Sequence, residues 1–251
     1  MEITDIIRII VLVVVVMTIV YYIYQSIVQY RNKMNLSPWL IYGTKTAGST
    51  TIVPSNQIPM SVDGKYGIEF SYAWWMYIRK IGDKYLHVFH KGDSNANPLQ
   101  APGVWIDKGT NSLTFNMNTF SAVKETCQIG NLPMNKWFHV TMVVMNKFID
   151  IYVNGNLKKR CALKGLPKQN FGDVYIADQG GWDGFISQLR YFAYALPYYK
   201  IKQMVKAGPS QAACIDTGEA VPPYLAEDYW TNTGFPDFSG DLVGSKKAKS
   251  S

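Results

Sequence analysis

Residues 68–78 read Ile68-Glu69-Phe70-Ser71-Tyr72-Ala73-Trp74-Trp75-Met76-Tyr77-Ile78. Every even position is apolar. The odd positions carry Glu69 and Ser71, then Ala73, Trp75 and Tyr77, with Arg79 following. Successive side chains of a strand point to opposite faces, so this period of two predicts a long strand with one face in a core.

Similar runs follow at short spacing. Residues 85–90 lead into a turn at Lys91-Gly92-Asp93, residues 103–106 are brief, and Leu113, Phe115 and Met117 alternate with Thr114, Asn116 and Asn118. Residues 137–145 place Phe138, Val140, Met142 and Val144 on one face. Residues 148–153 meet Asn154-Gly155, a pair suited to a type I′ hairpin turn because both residues tolerate positive φ. Residues 157–163, 174–176 and 185–191 complete the series. In this body one stretch reads as a helix, residues 198–205, introduced by Pro197 and closed by Gly208-Pro209. Many short strands separated by turn signals predict an all-β fold, an antiparallel sandwich over residues 65–208.

Upstream lies a different kind of sequence. After a short segment, residues 1–8, comes an uncharged stretch at 9–30 that includes the Val13-Val14-Val15-Val16 block. As a helix it reaches roughly 33 Å at about 1.5 Å per residue, enough to cross the ~30 Å hydrocarbon core of a bilayer. A signal peptide's apolar core is shorter, about 7–15 residues, and ends at a small-residue cleavage site, which is absent here. The stretch ends instead in Tyr21, Tyr22, Tyr24 and Tyr30, then Arg31 and Lys33, which together read as an interfacial belt and membrane anchor. The expectation is a single-pass membrane protein with a lipid bilayer as partner.

Glu2, Asp5 and Arg8 before the span, against Arg31, Lys33 and Lys45 after it, lean the downstream domain weakly toward the cytoplasm. Residues 31–64, with Pro38, Pro54, Pro59 and Gly48-Ser49-Thr50-Thr51, read as a linker. Residues 209–251 read as an extended tail, rich in proline and in isolated aromatics. Trp230, Phe235 and Phe238 are its candidate partner-binding residues, and they have two outlets: the parent sandwich or another protein.

At 14% aromatic and 17% charged residues the chain is too apolar to be mostly disordered. Its net charge of +7 comes from scattered residues; the tight groups, Lys158-Lys159-Arg160 and the lysines of 246–249, read as a solvated turn and tail. No nucleic-acid partner is expected. Of the three cysteines, Cys127 and Cys161 can pair only if their strands are neighbours; free thiols in a reducing setting agree with the cytoplasmic lean and are the expectation.

The order of these motifs resembles the concanavalin A-like lectin/glucanase superfamily, in its laminin-G-like and pentraxin-like branch. Residues 68–75 are similar to its opening core strand, and Phe89-His90-Lys91-Gly92-Asp93 to the next strand and turn. Trp137-Phe138-His139-Val140 is similar to its Trp-x-His-Val segment, and Tyr152-Val153-Asn154-Gly155 to its "YVNG" hairpin. Residues 184–192 with Ala195-Leu196 and the short helix resemble its closing strand. The resemblance implies a jelly roll of two curved antiparallel sheets and leaves the activity open, since this fold hosts hydrolases, lectins and structural modules.

Glucanases of this fold carry acids alternating on one strand, so that two carboxylates share a face. Glu69 is the only acid of its strand, Glu125 stands alone beside Cys127, and no catalytic residue is expected. Calcium is the cofactor to consider, because the loop Asp178-Gln179-Gly180-Gly181 resembles part of a relative's calcium loop, with Asp183 nearby. Calcium takes about six to eight oxygens, however, and a glycine-rich turn capped by Asp is the simpler reading. Trp105 and Trp182 are aromatics able to stack on a sugar, with core packing as the alternative. His139, where the superfamily often has a strand histidine, is expected in a hydrogen-bonded core role.

Two functions follow. The first is a non-catalytic scaffold that links a membrane to a protein layer through the sandwich surface and the tail. The resemblance implies that such anchored sandwiches occur as minor capsid-associated proteins at the internal membranes of large DNA virions. The second is a calcium-dependent lectin or adhesion protein with a glycan partner.

Overall fold

Gly67–Lys80 forms one strand of 14 residues, β4, and its even side chains Tyr72, Trp74, Met76 and Ile78 are completely buried. The computed structural model describes residues 3–64, 67–94 and 99–211. Trp230, Phe235 and Phe238, with the whole segment from 212 onward, lie outside the described residues, as do the side chains of Tyr30, Arg31 and Lys33.

The chain begins with helix α1, Ile3–Asn35. Strands follow in order: β1 Thr44–Thr46, β2 Thr51–Val53, β3 Val62–Gly64, β4, β5 Leu86–Gly92, β6 Gln100–Ile106 and β7 Ser112–Met117. The second half holds β8 Glu125–Gly130, β9 Trp137–Met145, β10 Phe148–Val153, β11 Asn156–Ala162, β12 Asp173–Ile176 and β13 Asp183–Phe192, then helix α2, Tyr198–Ala207. Two antiparallel sheets result. One runs β1-β13-β4-β9-β10-β11 with β3 against the start of β4; the other runs β2-β12-β5-β6-β7-β8. Asn154 and Gly155 sit at φ 49° and 75° and close the β10–β11 hairpin as a two-residue turn, as their sequence predicts.

The core lies between the sheets. Trp74 and Tyr72 of β4 meet Phe89 of β5 at 5.0 and 5.1 Å between ring centroids. The opposite face of β4 is buried too. There α2 sets Ile201 and Met204 against Ala73, Val143 and Phe192, and Ser71 Oγ ties down the connection by donating to Tyr194 O and accepting from Leu196 N–H.

Three readings of the sequence are corrected. Residues 31–64 are no linker: β1 and β2 are edge strands, one in each sheet, and Leu40, Ile41, Ala47, Val53 and Ile58 belong to the core. Edge strands of three residues are too short to show a period, so proline and glycine dominated their appearance. The chain just past α1 is clamped along β13: Ala193 N–H donates to Leu36 O, Leu40 and Ile41 N–H donate to Leu189 O, and Arg190 donates to Ser37 O and Oγ. Strand β8 went unread because only Cys127 and Ile129 of its six residues face inward. Finally, Cys127 and Cys161 are joined in a disulfide, Cα atoms 5.9 Å apart, instead of being free. Their strands, β8 and β11, close the same edge of the two sheets, a neighbourhood that only the tertiary fold creates.

Candidate functional site

The outer face of the six-stranded sheet carries a hollow of about 760 Å³. Its floor follows from alternation in β6, β7 and β8: Val104, Ile106, Leu113, Phe115, Met117, Cys127 and Ile129 point into the core, which leaves Trp105, Thr114, Asn116, Thr126 and Gln128 outside. The register sets these in two cross-strand rows, His87–Trp105–Thr114–Gln128 and His90–Gly103–Asn116–Thr126. Tyr85, Gln179 and the exposed Lys108 and Lys124 form the rim.

Most floor groups are fixed in place. The Asp107 carboxylate accepts from Ser112 Oγ (2.6 Å), Thr114 Oγ1 (2.7 Å) and Gln128 Nε2 (2.6 Å). Gln100 Oε1 accepts from the Trp105 indole N–H (3.0 Å) and Asn116 Nδ2 (3.2 Å). Gly103 makes that second bond pair possible, since a Cβ there would lie 1.9 Å from Gln100 Oε1. Asn116 Oδ1 is a buried acceptor without a hydrogen-bond partner among the described residues. An orphaned buried acceptor in a hydrogen-bonded floor is costly.

Beneath Trp105 lies a histidine relay. The Asp178 N–H donates to His87 Nδ1 (2.9 Å), so His87 carries its proton on Nε2 and donates to His90 Nδ1 (2.7 Å). His90 Nε2 in turn donates to Asp93 O (2.8 Å). Burial, and then the neighbouring His90, hold His87 down at about 3, and burial lowers His90 against the opposing pull of Asp93 and Asp178. The His87 ring meets Trp105 edge-on at 4.6 Å and His90 stacks on Tyr175 at 4.9 Å. The relay thereby fastens the Ala177–Gly181 turn, and with it Gln179, to the floor.

The sequence-predicted residues scatter. Of Asp178, Gln179 and Asp183, only Gln179 lines the hollow; Asp178 serves the relay, and Asp183 pairs with Arg79 at 3.3 Å on the other sheet. Among the described residues no three His, Cys, Asp or Glu side chains cluster as metal ligands. Trp182 is core, its indole N–H donating to Tyr77 O, whereas Trp105 is half-buried in the hollow. Glu125 turns away, accepting from Thr119 Oγ1 and the N–H groups of Lys164 and Gly165; burial raises its pKa, but these bonds outweigh it and the net shift is downward. His139 is buried, held at about 3 by burial and 3.3 Å from Thr141 Oγ1. Tyr21, Tyr22 and Tyr24 are exposed on α1, in a segment (Ile10–Gln29, mean hydropathy 2.2) long and apolar enough to cross a membrane. Sequence reasoning missed Gln100, Asp107, Thr126 and Gln128. The available signal was that outward positions on β7 are all hydrogen-bonding and none is charged.

No curated protein matches the chain by sequence. Among solved structures it is similar to the receptor-binding domain of botulinum neurotoxin mosaic serotype C/D (TM-score 0.52, 14% identity, covering 68% of this chain and 46% of that one). It is also similar to the binding domain of botulinum neurotoxin serotype D (TM-score 0.51, 14% identity, 66% and 42%). The chain therefore spans less than half the length of these structures, and at such identity the likeness is one of fold. A family model described as the concanavalin A-like lectin/glucanases superfamily matches residues 48–202, which covers both sheets from β2 to the start of α2. With that match over more than half its length, this chain is a member of the concanavalin A-like lectin/glucanases superfamily.

Proposed function

We propose that the chain is a membrane-tethered, non-catalytic recognition module whose hollow binds a carbohydrate. The observation that carries this reading is Trp105. Its ring edges a large hollow, its indole N–H is held by Gln100, and the Asn116 side chain lines the same hollow in the next row. An aromatic beside fixed hydrogen-bonding groups suits a sugar, which has an apolar face and a hydroxyl rim. Among the described residues Asp107 is the single carboxylate lining the hollow, and retaining hydrolysis needs two about 5 Å apart. Lys108 and Lys124 at the rim favour an acidic sugar. The test is retention of the full chain, in detergent, on an array of neutral and acidic glycans. Retention that Trp105→Ala abolishes is expected; no retention, or equal retention by the variant, overturns the reading. Because the lining offers one carboxylate already accepting three hydrogen bonds, retention is expected to survive a calcium chelator.

The segment Ile10–Gln29 is the tether in this reading. The Cys127–Cys161 disulfide supports a sandwich on the oxidising side of the membrane, against the cytoplasmic lean of the flanking charges, because structural disulfides are rare in reducing compartments. Protease treatment of sealed vesicles checks the side. A second reading, a scaffold between a membrane and a protein layer such as a viral capsid, is favoured by the joint at Leu36, which holds the sandwich directly at the helix end. In that reading Trp230, Phe235 and Phe238 engage a coat protein, and crosslinking on the native membrane or particle tests it.

A further inference from the structure

The two ends of the sandwich differ in what they expose. At one end the register sets Phe192 against Ser71 and Phe148 against Met145 and Ala162 in one sheet, and Gly92 against Asp173 and Gln100 in the other. Residues 163–172 tie the sheets together there: Leu166 O accepts from the Phe120 N–H and the Lys168 N–H donates to Asn118 O. Residues 55–60 join them, with the Ser55 N–H on Asp173 Oδ1. This end exposes Phe120 (74%), Phe171 (68%), Met60 (62%), Phe148 (45%) and Leu166 (39%). At the opposite end the loops 81–85, 107–111, 131–136 and 177–182 expose one large apolar side chain among the described residues, Tyr85. A cluster of exposed apolar side chains at one end of a domain marks an interaction surface.

Cations stand among these side chains. Lys168 Nζ lies 5.4 Å from the centre of the Phe120 ring and Arg160 Cζ 5.7 Å from that of Phe148, while Lys147 and Lys164 are exposed beside them. Of the acids at this end, Glu125 and Asp173 accept backbone N–H groups, Glu69 is half-buried and Asp93 is exposed. The exposed charge among the described residues is therefore mostly positive.

Helix α1 joins the sandwich at this same end, where the Ala193 N–H just past β13 donates to Leu36 O (2.8 Å). From Gln29, the last residue of the apolar span, to Leu36 is about 10 Å of helix at ~1.5 Å per residue. The headgroup layer reaches about 5–7 Å beyond the hydrocarbon on each side. Apolar side chains on the loops around Leu36 thus stand within reach of the headgroups, and aromatic and basic residues are the types that settle there.

We infer that, with Ile10–Gln29 spanning a bilayer (the tether reading, on which this rests), this end of the sandwich is a second membrane contact. Phe120, Phe148, Leu166 and Phe171 enter the headgroup layer, and Lys147, Lys164 and Lys168 meet anionic phospholipid. The domain then stands end-on, with the hollow on its flank.

The test is photocrosslinking of the full chain in phosphatidylcholine vesicles with and without phosphatidylserine. A benzophenone amino acid replaces Val15, Tyr85, Phe120 or Phe171, one per variant, and lipid adducts are read by mass. Adducts are expected at 15, 120 and 171, and at least several-fold fewer at 85. Adducts at 15 with none at 120 and 171, or adducts at 120 and 171 confined to a second copy or to peptides of residues 212–251, overturn the inference and leave the tether standing. No lipid adduct at 15 overturns the tether and the inference together. Lys147→Gln with Lys164→Gln and Lys168→Gln, all at exposed positions, is expected to lower the lipid yield at 171 several-fold on the phosphatidylserine vesicles. A yield equal to the parent's there overturns the anionic contact.

Discussion

The two outer faces of this sandwich are built by the same rule and end differently. Over residues 72–78 of β4 both sets of alternating side chains are apolar, and Trp75 and Tyr77 are buried almost as deeply as Trp74 and Met76 on the core side. On β7 the inward Leu113, Phe115 and Met117 alternate with Thr114 and Asn116, and the outward face stays polar and concave. A strand apolar on both faces demands cover, whereas a strand that alternates leaves a surface free for recognition. One chain therefore carries a packed outer face on one sheet and a polar, concave outer face on the other.

Each face holds a buried histidine, and acid is expected to act most strongly on both. Folded His139 and His87 have pKa values near 3, whereas histidines of an unfolded chain titrate near 6.5. Between these values the unfolded chain binds more protons. Their contribution to stability is therefore complete above about pH 6.5 and is lost as pH falls toward 3. Unfolding in denaturant across this range measures the slope. His139→Gln and His87→Gln are each expected to remove part of it, and a parent whose stability is flat over the window contradicts the buried, neutral assignment.

Replacing one tryptophan on each face separates packing from reading. Trp75→Ala is expected to cost about 3–5 kcal/mol of folding stability, as in a core. Trp105→Ala is expected to cost about 1 kcal/mol and to act on ligand retention instead. Equal losses in a denaturation midpoint break the distinction between the faces. Next in size is Cys127→Ser, which opens the bond across the sheets and is expected to cost about 2–4 kcal/mol, read the same way and compared with the reduced parent. Smaller than the loss of the disulfide is the effect of Gly103→Ala. The added Cβ displaces Gln100 from Trp105 and Asn116, with a loss of about 1–2 kcal/mol and weaker retention on the array. If retention is untouched, Gln100 does not organise the floor.

The sequence made the long strands legible because each keeps its period over six residues or more, and the Asn154-Gly155 turn announced its own hairpin. It hid the edges: β1 and β2 are three residues each, and β8 has two inward side chains, so nothing periodic accumulates. The disulfide was undecidable for the same reason, since Cys127 and Cys161 meet only where two edges meet. Of the site, Thr114 and Asn116 were visible as the outward half of an alternation, and Trp105 as an aromatic able to stack on sugar. Gln100 and Gln128 lie on strands and Asp107 just past the end of β6, and their roles lie in bonds to residues of neighbouring strands. The loop Asp178-Gln179 resembled part of a calcium loop by composition, with a glycine-rich turn as the simpler reading; its first backbone N–H donates to a histidine of the neighbouring strand.

The position of the disulfide has a mechanical consequence. In the proposed tethered module, a ligand gripped in the hollow would pull on Thr126 and Gln128, the two residues on either side of Cys127. In the same reading the opposing pull, from the tether, would enter at Leu36 and be handed to β13 in the other sheet. Between grip and tether the load must pass from sheet to sheet, and next to the grip it finds a covalent crossing. Traction on the ligand then need not shear the apolar interface apart, which suits a domain that holds on while the surface beneath it moves.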